Sequence, residues 1–321
     1  MSQHTATHHG HAHGDGHGHQ HTPGDTHSTG HQHRPCSHQS GAPLDWNEIA
    51  PLLEQQAETE SPAYADAAAW LGTLAPVQGV RRVLDVGSGP GVVTGVLAEA
   101  FPAAEAVAVD GSPELLARAR ERAGERGLGA RVSTLHTELP AGIAGLGKAD
   151  LIWAGNSLHH IGDQRAALVE FAGLLNPGGL MVLVEGGLPA RHLPWHVGFG
   201  RPGLEARLDA ANADRFAEMR AETPGHKDEP DDWRALLADA GLTPAGTRTF
   251  LTDVPAPVSP VVRGLALAHF ARVRDSFDGR IDAEDRATLD RLLDPADDLS
   301  LHHRTDLFYL AARTVHTARK G

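Results

Sequence analysis

The run "VLDVGSGPG", Val83 to Gly91, sets a carboxylate and three glycines at the end of an apolar segment. A second carboxylate, Asp110 in "AVAVDGSP", closes the next apolar segment 25 residues after Asp85. Glycines at 87 and 89 permit positive φ and let a ligand approach the main chain closely. A dinucleotide fingerprint needs glycine or alanine as its last member, and that place, counted from Gly87 and Gly89, holds Val92. Asp85 would oppose a pyrophosphate, but it can accept hydrogen bonds from an ammonium-bearing ligand, directly or through water. Asp110 can accept both hydroxyls of an unmodified ribose, although on its own it reads equally well as a helix cap. Together these residues favour a cationic adenosine-bearing cofactor over a nicotinamide dinucleotide.

The elements that must position them are legible as alternating patterns. Residues 83–86, 106–109, 132–135, 151–154 and 180–184 read as strands. Between them lie helical patterns carrying Val93, Val96 and Leu97, then Leu115, Leu116 and Ala119, then Leu168, Phe171, Leu174 and Leu175. Strands separated by helices imply right-handed crossovers and a parallel sheet covered on both faces. Ligands then bind beyond the carboxyl ends of the strands, where the strand order switches. Ahead of the first strand, Asp45 with Glu48 forms a capping box and Ser61 with Pro62 an N-cap and first helical position. Two short N-terminal helices are therefore expected within residues 42–75, with Trp46, Tyr64 and Trp70 packing into the core or, alternatively, serving as a substrate lid.

Composition narrows the function classes. The chain has 321 residues, 40% of them hydrophobic, with 28 basic and 41 acidic side chains and a formal charge of −13. That charge disfavours a nucleic-acid partner. The single Cys36 excludes an internal disulfide framework, and no apolar run approaches the roughly 18 residues needed to span a bilayer. With no signal-peptide plan at its start, the chain is expected in the cytoplasm. Residues 1–41 hold twelve of the 22 histidines and almost no aliphatic residues, so they read as a disordered tail separate from the domain over 42–321. Its flexible imidazoles offer ligands to divalent metal ions, but no metal site is expected in the domain.

The four segments "VLDVGSGPG", "AVAVDGSP", "ADLIWAGNSLHHIGD" and "LLNPGGLMVLVEGG" resemble, in order and spacing, the motifs of the class I S-adenosylmethionine-dependent methyltransferases. The resemblance implies a Rossmann-like α/β fold, a seven-stranded mostly parallel sheet with helices on both faces. "DDWRALLADAGLTPAGTRTF" and "DLFYLAARTV" are similar to the family's sixth strand and closing antiparallel strand. The implied cofactor is S-adenosyl-L-methionine. By the same resemblance Asp85, Gly87, Ser88 and Gly89 line its methionine and ribose side, while Asp110 with Gly111 holds the ribose. Glu138, where Asp is commoner, and Leu139 contact adenine, and Asn156 approaches the methionine portion.

A sulfonium methyl is already activated, so transfer chiefly requires an aligned nucleophile and exclusion of water. For a hydroxyl acceptor, His159 or His160 is the candidate general base, with Glu185 a weaker third; loop packing is the competing role for both histidines. Asn156 is followed by Ser157, Leu158 and His159 rather than two prolines and an aromatic, which disfavours nucleobase amino groups. One cysteine disfavours arsenic. Two insertions, about 188–230 and 255–304, are expected to form a helical cap over the cofactor. Leu204, Leu208, Ala211, Phe216 and Met219 share one helical face there, and Val262, Ala266, His269, Phe270, Val273 and Phe277 share another. A further helix opens at Asp282, Glu284 and Asp285. Trp195, Phe199 and His269 are the candidate acceptor contacts. A methyltransferase acting on a small organic molecule, oxygen acceptors ahead of nitrogen or carbon, is the leading reading. The alternatives are a non-catalytic cofactor-sensing or metal-handling protein on the same fold and, less favoured, a nicotinamide oxidoreductase.

Overall fold

The computed structural model describes residues 46–277 and 279–321. Five strands, β1 (Arg82–Val86), β2 (Glu105–Asp110), β3 (Val132–His136), β4 (Ala149–Gly155) and β5 (Leu175–Arg191), run parallel to their neighbours. With β6 (Thr243–Val254) and β7 (Tyr309–Arg319) they form one sheet in the order β3-β2-β1-β4-β5-β7-β6, with β7 antiparallel to both neighbours. The chain builds outward from β1 to β3, then crosses back to β4, so the switch in strand order falls between β1 and β4. This is the Rossmann-like α/β sheet, and its ligand crevice lies at that switch.

Strand alternation sorts the core into two layers. Leu84, Val86, Ile152, Ala154, Met181 and Leu183 face α4 (Gln164–Leu174) and α6 (Trp233–Asp239), packing with Leu168, Phe171, Trp233 and Leu236. The intervening Val83, Leu151, Trp153, Leu180, Val182 and Val184 face α1 (Trp46–Leu74) and α2 (Val92–Ala100), packing with Ala67, Leu71, Leu97 and Phe101. Burial on both sheet faces is why these strands read as continuous apolar runs. Helix α3 (Pro113–Glu125) lays Leu116 and Ala119 on Ala108 of β2.

The N-terminal region departs from the sequence expectation. Instead of two short helices with Ser61 as a cap, α1 is one helix of 29 residues containing Pro51 and Pro62. A helix-interior proline costs about 3 kcal/mol. Beyond Pro62, however, the side chains of Ala63, Tyr64, Ala67, Ala68 and Leu71 are all buried. At about 1.5–3 kcal/mol per large buried side chain, that packing outweighs the local cost. Tyr64 meets Trp153 edge-on at 6.2 Å and Trp70 leans on Phe250 at 5.9 Å, while the side chain of Trp46 lies outside the described residues.

The two insertions carry α5 (Leu204–Glu222), α7 (Pro260–Ser276) and α8 (Ala283–Leu293). Leu204, Leu208 and Ala211 pack with Ala266, Phe270, Val273 and Leu289 into a third apolar cluster. The stripe on α5 stops at Ala211, since the drift of a 3.6-residue period carries Phe216 off that face and leaves it 40% exposed.

Where β5 passes β7, Gly187 pairs with Arg313. It has φ +113, and a Cβ there would lie 2.2 Å from the Ala312 carbonyl oxygen. We expect Gly187→Ala to destabilise the protein by about 1–3 kcal/mol, as strain at a glycine-only conformation does. A denaturant midpoint equal to that of the wild type would show that β7 moves aside without penalty.

Candidate active site

Beyond the carboxyl ends of β1, β2 and β4 lies a cavity of about 680 Å³. Asp85, Gly87, Ser88, Gly89 and Asp110 line it, as do Gly111, Glu138, Leu139 and Asn156. All nine residues singled out for the cofactor thus face one space. Of the two candidate base histidines, His160 is on the wall and His159 is not.

Backbone geometry explains the glycine turn. The amides of Gly87 and Ser88 both donate to the Val109 carbonyl, at 2.8 and 3.0 Å, tying the turn to β2. Gly87 has φ +73, and a Cβ there would stand 2.5 Å from that of Ser157. At Gly89, φ is +53 and nothing lies within 4 Å of a built Cβ, so its backbone borders the cavity directly. Asp110 holds the two turns together, with Oδ2 accepting from Gly89 N and Oδ1 from Ser112 N, each at 2.9 Å. Helix α3 is capped by Ser112, whose Oγ accepts from Leu115 N at 3.2 Å, so the capping role open to Asp110 falls to its neighbour. Each Asp110 oxygen keeps lone-pair capacity for a ribose hydroxyl. Ser88 Oγ is buried without a hydrogen-bond partner on this same wall. An orphaned hydroxyl, an open glycine backbone and two carboxylates fit a ligand carrying hydroxyls and positive charge.

Asp85 is 2% exposed and receives the Thr94 hydroxyl at 2.6 Å. Burial pushes its carboxyl up to about 7; the Thr94 hydrogen bond opposes this and the Asp110 charge adds to it. The loop after β4 is held from behind. Asn156 takes φ +49, unusual for a side-chain-bearing residue, with its amide donating to Val184 O at 3.0 Å. Buried Glu185 accepts from Leu158 N at 3.0 Å and lies 3.1 Å from His159 Nδ1. Rings of His160 and Phe216 stand 4.2 and 5.4 Å from that of His159. From α5, Arg220 donates to the carbonyls of His159 and Ile161 at 2.6 and 2.8 Å. Burial and the neighbouring His159 hold His160 below the ordinary imidazole range.

Of the opposite wall only Tyr64 was anticipated from sequence, as part of a substrate lid. Leu53, Gln56, Ala57, Glu60 and Tyr64 of α1 line the cavity at helical spacing, joined by Arg313 of β7. Glu60 is 1% exposed. It accepts from Arg313 Nε and Nη2 at 2.8 and 2.6 Å, from the Tyr309 and Tyr64 hydroxyls at 2.6 and 3.1 Å, and from Gln56 at 3.3 Å. Burial would raise its pKa, but the Arg313 charge and these hydrogen bonds hold it below the usual range. Burial, and then the Glu60 charge, push Tyr64 and Tyr309 upward, and the same charge raises Arg313 against the effect of its burial. An arginine inside the apolar strand "YLAARTV" was the available signal.

The expected acceptor contacts lie elsewhere. Trp195 is 72% exposed and rests over Gly203, Phe199 sits under the Arg291 guanidinium at 4.1 Å, and His269 stacks on His192 at 5.0 Å. None lines the cavity, because the insertions bury their apolar faces against one another. Among the described residues no group of three or more His, Cys, Asp or Glu is placed to hold a metal, and no helix is long and apolar enough to cross a membrane. The His-rich tail and its metal ligands lie outside the described residues.

A buried carboxyl on the cavity wall that titrates near 7 would make the binding of a cationic ligand there pH-dependent. A group titrating near 7 is protonated below that pH, and a cationic ligand favours its ionised form. Affinity for S-adenosylmethionine should fall as pH drops through 7, by up to about tenfold per unit, and level off above it. Calorimetry in buffers of different ionisation enthalpy should detect proton release below pH 7. Asp85→Asn should abolish both effects, and an unchanged profile in that variant would assign the titration elsewhere.

The family described as "Methyltransferase domain" matches residues 83–179, the span holding the glycine turn, Asp110 and the loop after β4. A trans-aconitate 2-methyltransferase from Mycobacterium sp. (strain KMS) is 30% identical over 285 residues, 86% of this chain and all 100% of that protein. One from Methylobacterium radiotolerans is 30% identical over 259 residues, 72% of this chain and 89% of that one. Among solved structures, an O-methyltransferase family 2 protein from Planctomyces limnophilus DSM 3776 in complex with apigenin is similar at 19% identity. Its TM-score is 0.45, with 64% of this chain and 58% of that one covered. The chain belongs to the class I S-adenosylmethionine-dependent methyltransferases and takes its methyl group from S-adenosylmethionine.

Proposed function

We propose that this enzyme methylates a carboxylate oxygen of a small organic acid, with trans-aconitate the first acceptor to test. The observation that carries the reading is the size of the cavity, about 680 Å³. Sites of about 300–1,000 Å³ enclose one drug-sized ligand, so a cavity of this size that must hold cofactor and acceptor together suits a small acceptor and not a polymer. Similarity to trans-aconitate 2-methyltransferases over 89% and 100% of the length of the two named above supports an acid.

S-adenosylmethionine supplies a methyl on a sulfonium, already activated for displacement. The protein must orient the acceptor and keep water out. In this reading Asp110 accepts the ribose hydroxyls, Asp85 faces the ammonium, and Gly87, Ser88 and Gly89 let the ligand reach the main chain. Gly111, Glu138 and Leu139 serve the adenine side and Asn156 the methionine side. A carboxylic acid ionises near pH 4, so it arrives as the nucleophile and needs no base. The histidines agree with that. His160, held below the ordinary range, is a weak proton acceptor, and His159 is engaged with Glu185 off the wall. Their role is to shape the loop.

Purified protein offered methyl-labelled cofactor and a panel of small acids should yield a product that releases labelled methanol in alkali. Esters do so, whereas methyl ethers and methylamines do not. His160→Gln should keep kcat within about tenfold, since a general base contributes about 10²–10⁴-fold. A loss of several hundredfold, or an alkali-stable product, would turn the assignment toward a hydroxyl acceptor.

A further inference from the structure

Resting on that reading, we propose that Arg313 anchors a second carboxylate of the acceptor, that Glu60 positions Arg313, and that the substrate class is therefore a di- or tricarboxylic acid. Four carboxylates, Glu60, Asp85, Asp110 and Glu138, line the cavity, and Arg313 is the one permanent cation among the described residues that do. An anion entering a cleft lined by that charge needs a compensating donor. Arg313 has one to give. Its Nε and Nη2 are taken by Glu60 at 2.8 and 2.6 Å, and Nη1 makes no hydrogen bond to the described residues.

Glu60 makes this a fixed donor. It is 1% exposed and holds the guanidinium side-on while accepting from Tyr64, Tyr309 and Gln56, so neither partner can swing away without leaving a buried charge unpaired. Because Glu60 offsets the positive charge, the anchor selects by the direction of its Nη1 hydrogen bonds more than by long-range attraction.

Placement in the sheet separates this anchor from the cofactor turns. Asp85 lies at the end of β1 and the glycines follow it, whereas Arg313 is on β7, three strands away in the order β1-β4-β5-β7. At about 4.8 Å per strand that is on the order of 14 Å, which leaves room for a small acceptor between them. A carboxylate whose lone pairs accept from a guanidinium is a poor nucleophile, so the attacking oxygen belongs to another carboxylate of the same molecule. The reaction balances simply. That oxygen's lone pair forms the new C–O bond as the methyl–sulfur bond breaks, its electrons returning to sulfur, and no proton moves.

The test compares wild type, Arg313→Lys, Glu60→Gln and the double variant on whichever polycarboxylic acid of the panel is esterified, trans-aconitate first, and on the monocarboxylate crotonate. Arg313→Lys keeps a charge for Glu60 but loses the fork. It should raise KM for the polyacid by about 10–100-fold with kcat within about threefold. Affinity for S-adenosylmethionine and kcat/KM for crotonate should stay within about twofold. Glu60→Gln should raise KM for the polyacid in the same way, and the double variant no further than the larger single change, because both act on one contact. An unchanged KM for the polyacid in Arg313→Lys overturns the anchor. So does a matching loss of cofactor affinity, which would assign the guanidinium to the methionine carboxylate. If wild-type protein esterifies no acid at all, the carboxylate reading itself fails, and that outcome is distinct from either result with the variants.

Discussion

Glu60 is a carboxylate taken out of water, and the architecture around the cavity follows from keeping it paired. The cost of an unpaired buried charge is several kcal/mol, so a residue in this position dictates what surrounds it. Its partners Tyr309 and Arg313 lie 249 and 253 residues away, and they bind the first described helix to the last strand. Gly187 is the condition for this, because only a residue without Cβ lets β5 pass the Ala312 carbonyl and leave Arg313 in register with α1. The insertion is fastened to the same point. Tyr309 stands edge-on to His192 at 5.4 Å, and the amide and Nδ1 of His192 both reach Glu205 of α5, at 2.9 and 3.3 Å. The cavity wall and the first insertion therefore share one polar hub.

The wall proposed to hold the cofactor is organised on a different principle. Its residues are close in sequence, and each turn is fixed by backbone hydrogen bonds. Asp110 shows the economy of this arrangement: one carboxylate accepts from Gly89 and Ser112, setting the relative position of two turns while retaining capacity for a diol. Asp85 is held in the opposite manner, buried with one hydroxyl donor and a raised pKa, so it stores unfavourable desolvation that a cationic ligand relieves.

That contrast explains what the sequence could disclose. Strand faces were readable because burial on both sides of a parallel sheet writes apolar runs, and the glycine turn because positive φ and close approach demand glycine. Contiguous segments carry both signals. Pro62 misled because its local cost is real but smaller than the packing of Tyr64 and Leu71, which no local pattern records. Phe199 and His269 misled because an aromatic in an insertion signals burial without saying against what, and Trp195 because it stays 72% exposed. The wall of Glu60 and Arg313 stayed hidden for the most direct reason: it exists only when α1 and β7 meet. Each residue separately reads as an ordinary helix glutamate or strand arginine. The anomaly of an arginine in an apolar strand acquires meaning only with its partner.

The division between a locally encoded donor side and a long-range acceptor side bears on the chemistry. A hydroxyl acceptor would place the burden on a base of matched pKa, and the loop after β4 would then have to present an imidazole near neutrality to the cavity. Instead the imidazole on the wall is held low by burial, and its neighbour is turned to a buried glutamate behind the loop. An ionised acid shifts the burden to alignment, because a carboxylate has several equivalent lone pairs and only one productive approach. Alignment is what an over-determined guanidinium supplies: with two of its nitrogens fixed, the direction of the third is set before any ligand arrives. On this view the buried Glu60–Arg313 pair is retained for direction rather than for stability, to which buried ion pairs contribute little net.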